Sequence, residues 1–255
     1  MSIHKTAVIH KKAEIGEGVK IGPFSVIGGH VIIGNNTEID SHVCLDWSGI
    51  ADNCKISQGA VLGGSPQVLK HKDCPSYLKI GKNNIIREFV TIHRSMKENE
   101  ATLVGDGNYI MAYAHIAHDC NIGNETIITS YAGLSGHVTV EDRAVIGGAA
   151  GIHQFVRIGK LSMVGGMSRV VKDVLPYCLV EGNPAEPRGL NVVGLRRNQA
   201  PSDIRDDLKH AFKLLYQSGL NTSQSVEGIK KEIKMGEEIT HLIEFIEKSQ
   251  RGVTK

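Results

Sequence analysis

An aliphatic side chain returns at every sixth position along most of this chain, and few folds accommodate that period. The longest run is Val104, Ile110, Ile116, Ile122, Ile128, Leu134, Val140, Ile146, Ile152, Ile158, Val164 and Val170. Four places after these positions the residue is usually small, as at Ala114, Cys120, Thr126, Ala132, Val138, Ala144 and Ala150. The N-terminal part repeats the pattern at Ile3, Ile9, Ile15, Ile21, Ile27, Ile33, Ile39 and Leu45, slips by one residue to Ile50, and continues through Ile56 and Leu62. A short third stretch holds Ile80, Ile86 and Ile92. A period of six fits neither a helix of 3.6 residues per turn nor a strand alternating every two. It is the signature of hexapeptide coils, in which short strands alternate with corners. The expectation is an all-β left-handed parallel β-helix: three hexapeptides per triangular coil, aliphatics inside, and a structural period of 18. The 26 hexapeptides make between eight and nine coils, or a prism roughly 40 Å tall at about 4.8 Å per coil.

Composition agrees. Glycine is abundant at 29 residues while aromatics make up 5%, which suits a repetitive interior filled by small side chains. A net charge of +2, with no basic block interleaved with aromatics, argues against a nucleic-acid binder. The five cysteines are odd in number and lack CxxC spacing, so neither a disulfide framework nor a thiolate zinc site is expected. No apolar run reaches signal-peptide or membrane-spanning character, and the expected location is the cytoplasm.

The predicted β-helix spans residues 1–175, with loop insertions at about 67–79 and 95–103. Loops that leave a rigid scaffold often carry binding residues. An irregular link is expected over 176–201 and a helical cap over 202–255. Ser202 reads as the cap of a first helix ending near Gly219. Two more helices are expected at about 223–235 and 237–250.

Four of the twelve histidines, His115, His118, His137 and His153, cluster within the most regular repeats. Adding 18 to His118 reaches Gly136, and adding 18 again reaches Gln154, so these three stack in successive coils about 4.8 Å apart. An imidazole thus faces a backbone that has no side chain, with an amide beyond it. Acyl transfer requires a base near an attacking hydroxyl and an uncrowded N–H for the developing oxyanion, and glycine permits the close approach. Asp119 follows His118 and can orient its ring only if a corner intervenes, because adjacent strand residues otherwise face opposite ways. His-x-x-His-Asp-Cys, from His115 to Cys120, also admits a zinc reading of the carbonic anhydrase type. Against that, Cys120 holds the small inward position of its repeat, and Gly136 and Gln154 have no role beside a metal; no metal site is expected.

At these residues the chain closely resembles the UDP-N-acetylglucosamine 3-O-acyltransferases of lipid A biosynthesis. The shared elements are IREFVTIHR (86–94), AHIAHDC (114–120), SGHVTV (135–140), IHQF (152–155) and GNPAEPRGLNVVGLRR (182–197). The resemblance implies a homotrimer with sites between neighbours, a UDP-sugar acceptor, and a 3-hydroxyacyl group delivered on the phosphopantetheine of acyl carrier protein, with no other cofactor. By that likeness His118 is the general base, Asp119 its partner and Gly136 the oxyanion donor. Lys70, His115, His137, His153 and Gln154 contact substrate, Asn191 and Arg197 hold the nucleotide, and Gly166 gauges acyl length. The chain departs from the family pattern at Val68, Val193 and Asn198, where an aspartate or glutamate, a glutamate and a second arginine are usual. The sequence leaves open whether the acceptor presents a 3-hydroxyl or a 3-amino group. The acidic carrier is expected to meet lysines of the terminal helices: Lys209, Lys213, Lys230, Lys231 and Lys234.

Overall fold

The computed structural model describes residues 2–255. Each of the 26 aliphatic positions lies in a short strand, and from Ile21 onward none of them is more than 3% exposed. The strands stack into three parallel faces, starting at Ser2–Ile3, Val8–Ile9 and Glu14–Ile15. Register is set by the repeat. Val8 pairs with Val26 and Gly133 with Gly151, 18 residues apart, whereas Ile33 pairs with Ile50, which absorbs the one-residue slip. The first coil is the open end, with Ile3 at 40% exposure.

Most corners place one residue in the left-handed region, and few of these are glycines. Asp119, His137 and Phe155, in successive coils, have φ of 59°, 63° and 65°. Such a conformation costs roughly 1–2 kcal/mol for an L-residue. It is offset by a hydrogen bond between coils: His137 N–H donates to the carbonyl of His118 (3.1 Å), and Phe155 N–H to that of Gly136 (3.2 Å).

The insertions are shorter than the sequence pattern suggests. Strands Tyr77–Ile80 and Ala101–Val104 pair with each other along their full lengths, so residues 77–79 and 101–103 belong to the prism. The loops are pinned together by Arg94, which is buried. Its guanidinium donates to the Cys74 carbonyl (2.5 Å) and Ser76 Oγ (2.9 Å), pairs with Asp73, and lies over the Trp47 ring.

The link expected to be irregular is ordered. Cys178–Glu181 adds one more parallel strand beside Met163–Val164, and Glu186–Leu190 turns back antiparallel against it. Helix α1 (Val192–Arg197) follows, then α2 (Ser202–Tyr216), α3 (Thr222–Glu232) and α4 (Glu237–Glu247). Ser202 is the first residue of α2, not its cap; Pro201 precedes it without a side-chain bond. Asn221 caps α3 instead, exchanging hydrogen bonds with Gln224. Helix α4 ends short of 250 because the tail turns back to the last coil, where Ser249 donates to Asp173 (2.7 Å) and Thr254 N–H to the Asp173 carbonyl (2.9 Å). The cap encloses its own apolar core around Tyr177, Leu195, Leu208 and Phe245. No helix among the described residues is long and apolar enough to cross a membrane.

Candidate active site

The corner after strand His115–Ile116 carries His118 and Asp119. Because Asp119 sits in the left-handed region, its side chain swings beside that of its neighbour. His118 Nδ1 lies 2.6 Å from Asp119 Oδ2, and both side chains are largely buried, at 13% and 9% exposure. Burial opposes ionisation of Asp119, but hydrogen bonds from Ser95 and His118 outweigh it and hold the carboxyl below its ordinary range. An ionised carboxylate at this distance places the proton on Nδ1 and leaves Nε2 as the basic nitrogen. That nitrogen faces Gly136: a Cβ built there would lie 2.7 Å from Nε2 and 2.6 Å from Cε1. Only glycine fits under this ring. Among the described residues no protein acceptor takes the Gly136 N–H.

His137 occupies the same corner one coil further on. It stacks on Phe155 (4.5 Å between centroids) and brings Nε2 to 3.8 Å from Asp119 Oδ2. Burial outweighs the attraction of Asp119 and keeps its imidazole below the usual value. His115 accepts or donates a hydrogen bond with Thr91 Oγ1 (2.8 Å), and burial, with His93 beside it, likewise favours its neutral form. His153 and Gln154 are exposed one coil beyond Ser135 and Gly136. A cleft of about 590 Å³ opens from His137 towards Arg157, Lys248 and Arg251.

The chain therefore gathers His118, Asp119, Gly136 and His137 at one corner, with His115, His153 and Gln154 along the same stretch of prism. It does not bring in the others. Lys70 is exposed at the tip of the first loop beside Leu69, which is fully exposed at 107%. Gly166 lies at the opposite edge of the second face, over Gly148, whose carbonyl would be 3.3 Å from an added Cβ. Asn191 is committed locally: its Oδ1 accepts from Gly194 N–H (2.9 Å) as the cap of α1, and its Nδ2 donates to the Leu161 carbonyl (2.9 Å). It thereby fixes the helix that presents Arg196 and Arg197.

The thiol of the zinc-like motif points the wrong way. Cys120 is buried, donates to the Ser135 carbonyl (3.2 Å), and burial pushes it up to about 12. His118, Asp119 and His137 do present ligand atoms within 4.8 Å of one another, but the carboxylate oxygen there is already engaged by Nδ1.

Sequence reasoning missed several site residues. Ser95, at the start of the second loop, and His93, at the end of strand Thr91–His93, reach the site across 24 and 22 positions, beyond any local pattern. Gly133 and Gly151 were legible: both take the outward strand position in the column of His115, and a Cβ on either would meet nothing within 4 Å. They floor an open trough along the second face.

A hexapeptide prism with a buried His–Asp pair over a glycine defines a hexapeptide-repeat acyltransferase. The family comparisons agree. Residues 12–46 and 101–136 match the bacterial transferase hexapeptide (six repeats), and residues 173–254 match domain 2 of the UDP-N-acetylglucosamine O-acyltransferases. The acyl-acyl-carrier-protein:UDP-N-acetylglucosamine O-acyltransferase of Thermodesulfovibrio yellowstonii is 46% identical over 99% of both chains. The structure of LpxA from Acinetobacter baumannii superposes with a TM-score of 0.94 at 40% identity, over 99% of each chain. The UDP-N-acetylglucosamine acyltransferase of Bacteroides fragilis gives 0.96 at 36%, again over 99% of each. The chain belongs to the UDP-N-acetylglucosamine O-acyltransferase family.

Proposed function

We propose that the protein transfers a 3-hydroxyacyl chain from acyl carrier protein to the 3-position of UDP-N-acetylglucosamine, in the cytoplasm, as a step towards lipid A. The observation that carries the mechanism is the His118 ring, held at Nδ1 by Asp119 with Nε2 over Gly136. The acceptor hydroxyl loses its proton to Nε2 as its oxygen attacks the thioester carbonyl. The carbonyl oxygen becomes an oxyanion beside the Gly136 N–H. Collapse breaks the C–S bond, and the departing thiolate recovers the proton from His118. A C–O bond has replaced a C–S bond with no acyl-enzyme and no resident cofactor. His115, His137, His153 and Gln154 line the approach.

Lys70, Gly166, Asn191 and Arg197 complete the site in a homotrimer, each cleft being shared by two subunits. Exposed apolar side chains on the surfaces concerned support this: Leu69 beside Lys70, Met167 beside Gly166, and Val192 and Val193 on α1. Helix α1, capped by Asn191, directs Arg197 to the nucleotide phosphates. Val193 offers no acceptor for the ribose, so nucleotide binding relies more heavily on that arginine. The carrier docks at a basic cleft of about 550 Å³ lined by Arg188, Arg196, Arg205, Lys209 and Lys213. Lys230 is paired with Glu247 (2.9 Å) and contributes less, while Lys231 and Lys234 are exposed on α3 and just beyond it. Affinity for the loaded carrier should therefore fall with salt.

The test is an acylation assay crossing 3-hydroxyl and 3-amino UDP-sugars with carrier thioesters of about ten to sixteen carbons. At roughly 1.2 Å per bond, the 2.67 coils (about 13 Å) between His118 and Gly166 predict an optimum near twelve to fourteen carbons. Gly166→Met should move the optimum towards ten. An unchanged profile in an active variant rejects the ruler, and no transfer to either acceptor rejects the reading. Dialysis against a chelator should leave the rate unchanged; loss restored by zinc would favour a metal at His118, Asp119 and His137.

A further inference from the structure

The carboxylate that holds His118 is itself held, from outside the repeat. Ser95, fully buried at the start of the second insertion, places its Oγ 2.5 Å from Asp119 Oδ1. The same Oγ accepts from the Lys97 N–H (3.0 Å), so the serine proton is directed at the carboxylate; the alternative acceptor, the Lys97 carbonyl, is 3.5 Å away. Met96 N–H reaches Oδ2 at 3.4 Å, and the Asp119 N–H donates to Thr102 Oγ1 (2.8 Å). Ser95 is fixed in turn by its neighbour Arg94, which clamps the loop at residues 73–76. We propose that Ser95 is a positioning residue for the transfer: its hydroxyl occupies Oδ1, leaving Oδ2 to the Nδ1–H of His118 and aiming Nε2 at the acceptor.

This inference rests on the histidine-base reading and adds a consequence to it. A hydrogen bond to Oδ1 draws charge away from the carboxylate and weakens the support it gives to a protonated ring. The other ionisable groups facing the pair are His137, 3.8 Å from Oδ2, and Lys97, whose charge acts on His137. Neither is bonded to Oδ1, so neither replaces Ser95. Removing the hydroxyl therefore has two effects. The imidazole becomes harder to deprotonate, and its aim loosens.

The experiment compares the wild-type protein with Ser95→Ala and His118→Ala. In Ser95→Ala, kcat should fall about five- to tenfold with KM for the UDP-sugar unchanged. The acid limb of its kcat profile should move up by about half a pH unit. The titration midpoint of the His118 ring, followed by NMR without turnover, should move by the same amount. Ser95→Cys, which keeps a weak donor, should fall between the two. A loss of kcat with the acid limb and ring titration both unmoved would overturn the proposal, since a purely structural role predicts that pattern. Full activity in His118→Ala would instead remove the base itself, while the NMR arm would still decide whether Ser95 acts on the ring.

Discussion

Near the open end of the prism, a Cβ built on Gly29 would lie 2.7 Å from Nδ1 of His10; in the central coils, one built on Gly136 would lie 2.6 Å from Cε1 of His118. The two settings share a ring over a bare backbone, yet they differ in what meets Nδ1. His10 is exposed, and its Nδ1 accepts from the Lys12 N–H (3.2 Å). Its neutral form therefore carries the proton on Nε2, the outer nitrogen. His118 Nδ1 faces a carboxylate, so its neutral form presents a lone pair at Nε2. The group at Nδ1 decides the difference: a backbone N–H from Lys12 in one coil, the Asp119 carboxylate in the other. Stacking an imidazole on glycine recurs in the prism, at 19 residues for His10 and 18 for His118, whereas a buried acid at the corner turns it into a base.

The comparison breaks most sharply on removal of each ring. His118→Ala should lose at least about 100-fold in turnover with an unchanged melting temperature, while His10→Ala should be indistinguishable from wild type. Equal effects, or none, in the acylation assay would end the distinction. Next comes the glycine. Gly136→Ala drives a methyl into a ring that Asp119 prevents from moving aside, and kcat should drop about tenfold or more. Gly29→Ala meets an exposed ring that can swing away, so its activity should be retained.

A smaller effect concerns pH. Burial keeps His115 and His137 below the ordinary value of 6.5, so the unfolded chain binds more protons than the folded one as pH falls past that point. Their contribution to stability is present above about 6.5 and is lost towards their folded values. The melting temperature should decline by about 2–4 °C between pH 7 and 5, and His115→Gln should flatten that decline. The smallest effect sharpens the comparison from the other side. Lys11→Asp places an acid beside His10, and the ring's NMR titration midpoint should rise by about half a unit with no change in catalysis, because His10 lies five coils from His118 along the second face.

The prism was readable because each coil repeats its aliphatic positions, and the stack of His118, Gly136 and Gln154 followed from arithmetic alone. The bond between His118 and Asp119 did not. It depends on a left-handed corner, and these corners are filled by Asp119, His137, Phe155 and Tyr131 rather than glycine, so composition gives no signal. The hairpin of Cys178–Glu181 and Glu186–Leu190 and the six-residue α1 fall after the period ends and are shaped by packing against the last coil. Ser95 was hidden for a related reason: an insertion has no register from which to infer a partner.

The prism grows in units of one coil, and this gives the gene a simple grammar. Copying residues 20–37 in tandem would add a coil, pair its new strands at the same 18-residue register as Lys20 with Glu38, and leave every later corner in place. The same event at 119–136 would preserve the fold and keep a glycine 18 residues after His118, but it would put a copy of Asp119 where His137 stands and lift His137, His153 and Gln154 one coil away. Lengthening by duplication is thus nearly neutral towards the open end but pulls site residues apart around the corner at 118–136, so lineages of such proteins can change height at the open end without disturbing their chemistry.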